Sequence, residues 1–218
     1  RAPRSHRFCF RFGAESFLGA SPELIFAQTG DRVYADCLAG TTARGATPAE
    51  DDALGQALLS NEKERREHAA VVTMVRGVLG PLTDTLSLPE VPALRVLPNV
   101  QHLHTPVEGR LKPKTDLTAL LTGLHPTPAV CGTPREAARA FIQEVEGFAR
   151  GWYAGAIGWV GLDEAQFAVG IRSALLRERE ALVFAGAGLV VGSEPASEWL
   201  ETERKAAPLV GLLTGAGA

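Results

Sequence analysis

Three glycine-rich apolar runs in the second half of the chain constrain its fold more than any other feature. Ala154 to Leu162, Gln166 to Leu176 and Ala181 to Val191 are each long enough for one strand, and only the polar turns Asp163-Glu164 and Arg177 to Glu180 separate them. Connections this short join antiparallel neighbours, because a parallel pair needs a crossover of a dozen or more residues. An antiparallel sheet with hairpin connections is therefore expected here. The start of the chain has a similar texture. Short aromatic and aliphatic runs from Phe8 to Phe26 break at Gly13-Ala14 and Ser21-Pro22, and a Gly30-Asp31 turn leads into Val33 to Cys37, which together read as a meander of strands. Helices fill the middle and the end. Thr47 as N-cap, Pro48 at the first helical position and Glu50 closing a capping box open a long helix whose pattern runs to Gly80-Pro81. The proline-rich stretch from Leu82 to Lys114 yields one strand, around Gln101 to Leu111. Further helices are expected over Leu117 to Gly123, over Pro134 to Phe148, and from Ser193, with Pro195 in the first turn, to a stop before Pro208. The Gly-Ala tail after Thr214 is expected to fray.

Composition bounds the class. With 218 residues, 45% of them hydrophobic and 22% charged, and a net charge of -3, the chain has the make-up of one soluble globular domain spanning 1–218. It contains no apolar run of membrane-spanning length, and it opens on Arg1-Ala2-Pro3-Arg4 without an apolar signal region, so a cytoplasmic location is expected. Cys9, Cys37 and Cys131 are odd in number, widely spaced and without a metal-ligand pattern, which suits a reducing compartment. All three read as small apolar residues, buried or half-buried. Near-neutral charge, the lack of a basic cluster and few aromatics point away from nucleic acid and towards a small-molecule ligand.

Candidate chemistry shows first on the long helix. At about 100° per residue, Glu64, Glu67 and His68 fall on the same side as Ala57, Val71, Val75 and Val78, while Glu62 and Arg66 lie opposite, four apart, as an exposed ion pair would. An acid on an inward face is costly unless it is paired or binds a metal; the other reading is that both glutamates flank the core and reach water. The last helix carries Glu194, Glu198, Glu201 and Lys205 at spacings of four, three and four, a stripe that by itself reads as a solvated face. Two helices each offering two carboxylates a turn apart could together hold one hard divalent cation, magnesium first among them. In the middle run of the late sheet, Ala168, Gly170, Arg172 and Ala174 alternate with Phe167, Val169, Ile171 and Leu175. This places one guanidinium among small residues, either as a carboxylate binder on the sheet floor or as an edge arginine facing solvent. Ala185-Gly186-Ala187-Gly188 removes side chains where a ligand approaches or where a bulge forms.

Taken in order, Ser21-Pro22-Glu23-Leu24, Leu38-Ala39-Gly40-Thr41, Asn61-Glu62-Lys63-Glu64-Arg65-Arg66-Glu67-His68, Gly170-Ile171-Arg172, Ala185-Gly186-Ala187-Gly188 and Glu198-Trp199-Leu200-Glu201-Thr202 resemble the chorismate-utilising enzymes over nearly the whole chain. That resemblance implies an α+β fold of largely antiparallel sheets with flanking helices and an active site between sheet ends and helices. His125-Pro126-Thr127-Pro128-Ala129-Val130-Cys131-Gly132 resembles the isochorismate-forming branch, whereas the anthranilate branch carries a phenylalanine-proline-alanine-glycine-threonine run there. The resemblance further implies Mg2+ as cofactor, with Glu67 and Glu201 as principal ligands and Glu64 and Glu198 as outer or water-mediated ones. Lys205 and the Gly40-Thr41 turn match groups near the ring carboxylate of chorismate, Arg172 and Tyr153 match binders of the enolpyruvyl carboxylate, and His102 matches a histidine close to the substrate. A lone histidine is also often a hydrogen-bonded core residue. Gly186 and Gly188 match substrate-binding positions, and Glu23 matches the general acid that protonates the departing ring hydroxyl.

One part of the pattern is missing. The family's general base is a lysine on a strand well upstream of the Ser-Pro-Glu motif, and Lys63, Lys112, Lys114 and Lys205 do not match it. The chain is therefore expected to be a fragment lacking N-terminal strands, with little isomerase activity alone. Rival readings are a salicylate synthase, which goes on to eliminate pyruvate; an anthranilate or aminodeoxychorismate synthase, which needs an ammonia source and usually a glutaminase partner; and a non-catalytic relative. The isomerase reading calls for no glutaminase, no nucleic acid and no membrane, with the chain a monomer or homodimer. Whether the product serves menaquinone, a siderophore or salicylate depends on other enzymes.

Overall fold

The computed structural model describes residues 5–97 and 100–215, so the Arg1 to Arg4 start and residues 216–218 of the Gly-Ala tail lie outside it. The N-terminal strands are β1 (His6–Phe12), β2 (Glu15–Ser21), β3 (Leu24–Thr29) and β4 (Arg32–Ala43). Two helices follow, α1 (Pro48–Ser60) and α2 (Glu62–Leu82), then β5 (Thr83–Ser87), β6 (Ala93–Val96) and β7 (Val100–Leu111). The rest comprises α3 (Leu117–Leu124), α4 (Arg135–Val145), β8 (Ala156–Val160), β9 (Glu164–Val169), β10 (Ser173–Arg177), β11 (Glu180–Phe184) and α5 (Pro195–Thr214). The fold is α+β, as expected, with strands antiparallel throughout the described pairs.

The strands form two sheets where a meander and a single late sheet were expected. One runs β1-β2-β10-β11; the other runs β5-β7-β4-β3-β9-β8, with β6 also on β7. The chain passes between them at two places that lie side by side. Pro22, which has no N–H to give a ladder, separates β2 from β3, and Gly170-Ile171-Arg172 separates β9 from β10. The expected single strand Gln166 to Leu176 is thus two strands in different sheets. Its break is built from the Ile171 N–H donating to the Val169 carbonyl at 2.8 Å and a left-handed Arg172 at φ 51. Gly170 is required at this break, because a Cβ there would stand 2.8 Å from the Trp152 carbonyl oxygen. The two crossings are laced together: Ala20 N–H donates to the Arg172 carbonyl at 3.1 Å, and Val169 N–H to the Glu23 carbonyl at 3.0 Å. A buried serine latches each one. Ser21 Oγ accepts the Glu23 N–H at 3.2 Å, and Ser173 Oγ donates to the Gly170 carbonyl at 3.1 Å.

The core lies between the larger sheet and α2 with α3. Val33, Ala35 and Cys37 of β4, Val107 and Leu111 of β7 and Phe26 of β3 meet Val71, Val75 and Leu79 of α2 and Leu120 and Leu124 of α3. The expected helix from Thr47 to Pro81 divides at Asn61, whose extended backbone ends α1 and whose side chain accepts the Glu64 N–H at 3.1 Å to cap α2. The capping box at Thr47 and Glu50 is present. Ala57 belongs to α1, so it shares no helical face with Glu64. At the other end α5 continues to Thr214, past the expected stop before Pro208; the carbonyl that Pro208 leaves without a donor is that of the exposed Arg204, where water can serve. The late strand ends at Phe184, leaving Ala185 to Gly188 irregular, and α4 stops at Val145. Cys37 is buried and Cys131 half-buried, but Cys9 is exposed, contrary to the sequence reading.

Candidate active site

The corner where the chain changes sheets carries the first group of side chains. Glu23 follows Pro22 immediately after the first crossing, and Arg172 stands in the second, so the lacing that builds the corner also brings carboxyl and guanidinium together. Burial raises the half-buried Glu23 carboxyl to about 7, against a hydrogen bond from Thr127 and the charges of Arg172 and Lys205, which hold it lower. The Thr127 hydroxyl donates to Glu23 Oε1 at 3.3 Å. Arg172 faces Glu23, Tyr153 and, further off, Glu201. Tyr153 is held by stacking on Phe184, with ring centroids 5.2 Å apart, and by the Arg150 guanidinium 5.7 Å above its ring.

Beyond the corner, α2 and α5 bring their acids together as the sequence suggested. Glu67 is raised to about 7, first by burial and then by the neighbouring charge of Glu64, with Glu201 and Glu198 adding to it and Lys63 opposing. Four carboxylates therefore share one neighbourhood, and two lysines partly neutralise them. Lys63 Nζ lies 3.1 Å from Glu198 Oε1 and 3.9 Å from Glu64 Oε1, joining the two helices. Burial tends to raise Glu198, but bonds from Ser193 and Lys63 outweigh it and hold the carboxyl below its ordinary range. Lys205 pairs with Glu201 at 2.5 Å and donates to the Gly186 carbonyl at 3.0 Å. Among the described residues no three His, Cys, Asp or Glu side chains stand close enough to hold a metal ion between them. The donor chemistry nevertheless fits a hard cation, since the carboxylates are oxygen donors and the negative charge that adds to burial in raising Glu67 is what such an ion relieves.

The Gly40-Thr41 turn connects this acidic set to the sheet. Gly40 is left-handed at φ 77 in a bulge of β4, and a Cβ there would press on Glu64 Cβ at 3.2 Å and on its carbonyl oxygen at 3.3 Å. The bulge lets the Thr41 N–H donate to Glu64 Oε2 at 2.9 Å, while the Thr41 hydroxyl shares a 3.0 Å hydrogen bond with His102 Nδ1. Burial lowers His102 to about 4, with Arg172 and Lys205 adding to the effect, so its ring is neutral near pH 7.

Of the residues singled out from the sequence, Glu23, Arg172, Tyr153, Lys205, Glu201, Glu67, Glu64, Glu198, Gly40, Thr41 and His102 are linked by these contacts and charges. Gly186 is explained within the protein, since a Cβ there would lie 2.7 Å from the Tyr153 hydroxyl, and Gly188 has no neighbour within 4 Å of such an atom. Arg172 occupies neither of the two places offered to it, standing at a corner instead of on a strand face. Two features escaped the sequence reading. Thr127 lies in the His125 to Gly132 run, whose resemblance gave it no role of its own. Asp36, two residues along from Tyr34 on β4, accepts hydrogen bonds from Tyr34 and, at 2.6 Å each, from Arg95 and His104, next to His102 along β7. The alternation of Tyr34, Asp36 and Leu38 with Val33, Ala35 and Cys37 was the signal that would have found it. A cavity of about 580 Å³ lies against Gln28, Asp31, Arg110 and Lys114 and shares no residue with this set.

A sheet corner holding an acid and an arginine, faced by two helices with paired carboxylates, defines a class, and the chain belongs to the chorismate binding enzyme family, whose model matches residues 1–214. Among its relatives, the salicylate biosynthesis isochorismate synthase of Pseudomonas aeruginosa is 45% identical over 96% of this chain, and isochorismate synthase MenF of Bacillus subtilis is 40% identical over 97%. The chain spans 44% and 45% of their lengths, or about half of each. In solved structures the fold is shared with the putative 2,3-dihydroxybenzoate-specific isochorismate synthase DhbC of Bacillus anthracis, at a TM-score of 0.88 and 38% identity, covering 96% of this chain and 57% of that one. It is also shared with anthranilate synthase component I of Streptococcus pneumoniae, at a TM-score of 0.82 and 32% identity, covering 94% of this chain and 46% of that one.

Proposed function

We propose that residues 1–218 form the chorismate-binding catalytic part of a magnesium-dependent isochorismate synthase acting in the cytoplasm on a small molecule without a glutaminase subunit. The observation that carries this reading is Glu23, a carboxyl raised to about 7 beside Arg172 at the sheet corner. A carboxyl so placed holds its proton in a large share of molecules near neutral pH and can deliver it to a departing hydroxyl, here the C4 hydroxyl of chorismate, as water adds at C2. Arg172, with Tyr153, takes the enolpyruvyl carboxylate through the paired donors of its guanidinium. Glu67 and Glu201, with Glu64 and Glu198 around them, would hold a magnesium ion. When bound, that ion supplies positive charge that draws in the ring carboxylate and offsets the four glutamates. Lys205, the Gly40-Thr41 turn and the neutral His102 orient the same end of the substrate, over Gly186 and Gly188.

Three of the chain's four lysines are engaged, Lys63 and Lys205 with carboxylates and Lys112 with the Pro81 carbonyl, and Lys114 sits in the loop after β7. No lysine here matches the family's base, so turnover by these residues alone is expected to be weak and binding is the better first test. Calorimetry should detect chorismate binding that depends on magnesium and is lost in Glu201→Gln. Binding that ignores both would overturn the metal-carboxylate reading. Chromatography of any product separates isochorismate from salicylate.

A further inference from the structure

Glu23 has to keep one orientation through a cycle in which it loses and regains a proton, and the described hydrogen bonds give its carboxyl a single side-chain partner. That partner is Thr127, 6% exposed, whose hydroxyl lies 3.3 Å from Glu23 Oε1. We propose that Thr127 is the positioning residue of the acid, fixing one carboxyl oxygen in both protonation states and leaving the other to the substrate. This rests on the reading of Glu23 as the acid.

A hydroxyl suits the task because it can donate to the carboxylate and, after rotating, accept from the carboxylic acid; an amide N–H or an ammonium can only donate. Its own placement is stiff. Thr127 is followed by Pro128, which biases its backbone to extended conformations. The Val130 and Cys131 N–H groups both donate to its carbonyl, at 3.2 and 3.0 Å. The Val130 carbonyl accepts in turn from Arg150 Nη1 at 2.8 Å, and Arg150 is clamped to Glu146 by two bonds of 2.7 and 2.5 Å. The segment His125 to Gly132 therefore reaches the acid through one hydrogen bond. The other charged and titratable groups around Glu23 are Arg172 on the β9–β10 crossing, Lys205 on α5 and the Cys37 thiol on β4. None of these can take over from Thr127, since two are cations and burial pushes the thiol up to about 12.

The test follows the Glu23 carboxyl directly, in the full chain labelled with 13C at glutamate Cδ, its resonance assigned by its loss in Glu23→Gln. Thr127→Val should move the Glu23 titration midpoint upward by about one pH unit, because the ionised form loses its donor. Thr127→Ser should leave the midpoint in place. An unmoved midpoint in Thr127→Val, or an equal shift in Thr127→Ser, would overturn the proposal. Should Thr127→Val not fold, the wild-type Thr127 Cβ resonance decides: it should titrate with Glu23 and become flat in Glu23→Gln, and a flat response in the wild type counts against the proposal. If Glu23 and Thr127 titrate together but chorismate does not bind, the Thr127–Glu23 coupling stands and the reading of Glu23 as the acid of an isochorismate synthase falls.

Discussion

Helices α2 and α5 bring the same chemistry to the site, two glutamates a turn apart, yet they are attached to the molecule in opposite ways. α2 buries His68, Val71, Val75 and Leu79 against the larger sheet and α3, so its carboxylates stand on a face fixed by apolar packing. The buried residue of α5 is Glu198 itself, 8% exposed, while Trp199 beside it is 68% exposed. What joins α5 to the rest includes the Lys63–Glu198 pair and the Lys205 bond to the Gly186 carbonyl. Half of the carboxylate set proposed to hold the metal is thus prebuilt, and the other half is held largely by polar contacts, which are weak where water reaches them.

The comparison can be broken most sharply in the core. Leu79→Ala should cost about 2–5 kcal/mol of stability by chemical denaturation, because a fully buried side chain leaves a cavity under α2. A cost below 1 kcal/mol would mean α2 is not the anchored helix. Next comes pH. The corner belongs to the prebuilt half, and a carboxyl raised in the folded state holds a proton that the unfolded chain releases at its ordinary value. Stability should therefore fall as pH rises from about 4.5 to about 7, by at most about 3 kcal/mol and less where water reaches the half-buried side chain. Thermal melts of Glu23→Gln should lose that part of the slope. Lys63→Met tests the polar attachment, with amide exchange over 195–204 expected to speed up about fivefold, as a pair worth ~1 kcal/mol implies, while α2 stays unchanged. Magnesium chloride should slow the same amides in the wild type and have no effect in Glu201→Gln. The smallest effect belongs to Trp199→Ala, within about 0.5 kcal/mol, since most of that ring faces solvent.

Local signals proved legible wherever one residue type has one use. The capping box at Thr47 and Glu50 and the turns at Gly13 and Gly30, both left-handed, are where sequence chemistry put them. Placing Glu64 and Glu67 on the half-buried side of α2 also held, because helical periodicity is a property of the backbone alone. Asn61 shows the limit. An N-cap and a helix-interior asparagine look alike until the partner of its side chain is known, so the apolar pattern carried the expected helix straight through a cap. Pro208 erred in the other direction: the helix runs through it, and the carbonyl it strands, on the exposed Arg204, has water to turn to.

By itself the sequence determined the antiparallel habit of the strands and the carboxylate spacing on two helices. Each follows from backbone period, turn length or side-chain chemistry, which need no knowledge of what lies across the fold. Only the tertiary structure decided that Gln166 to Leu176 is two strands in two sheets, that Glu23 and Arg172 meet at the shared corner, that Lys63 bridges α2 to α5, and that Thr127 reaches Glu23 from 104 residues away. Those outcomes depend on which surfaces pack together, and packing couples residues that no local pattern relates.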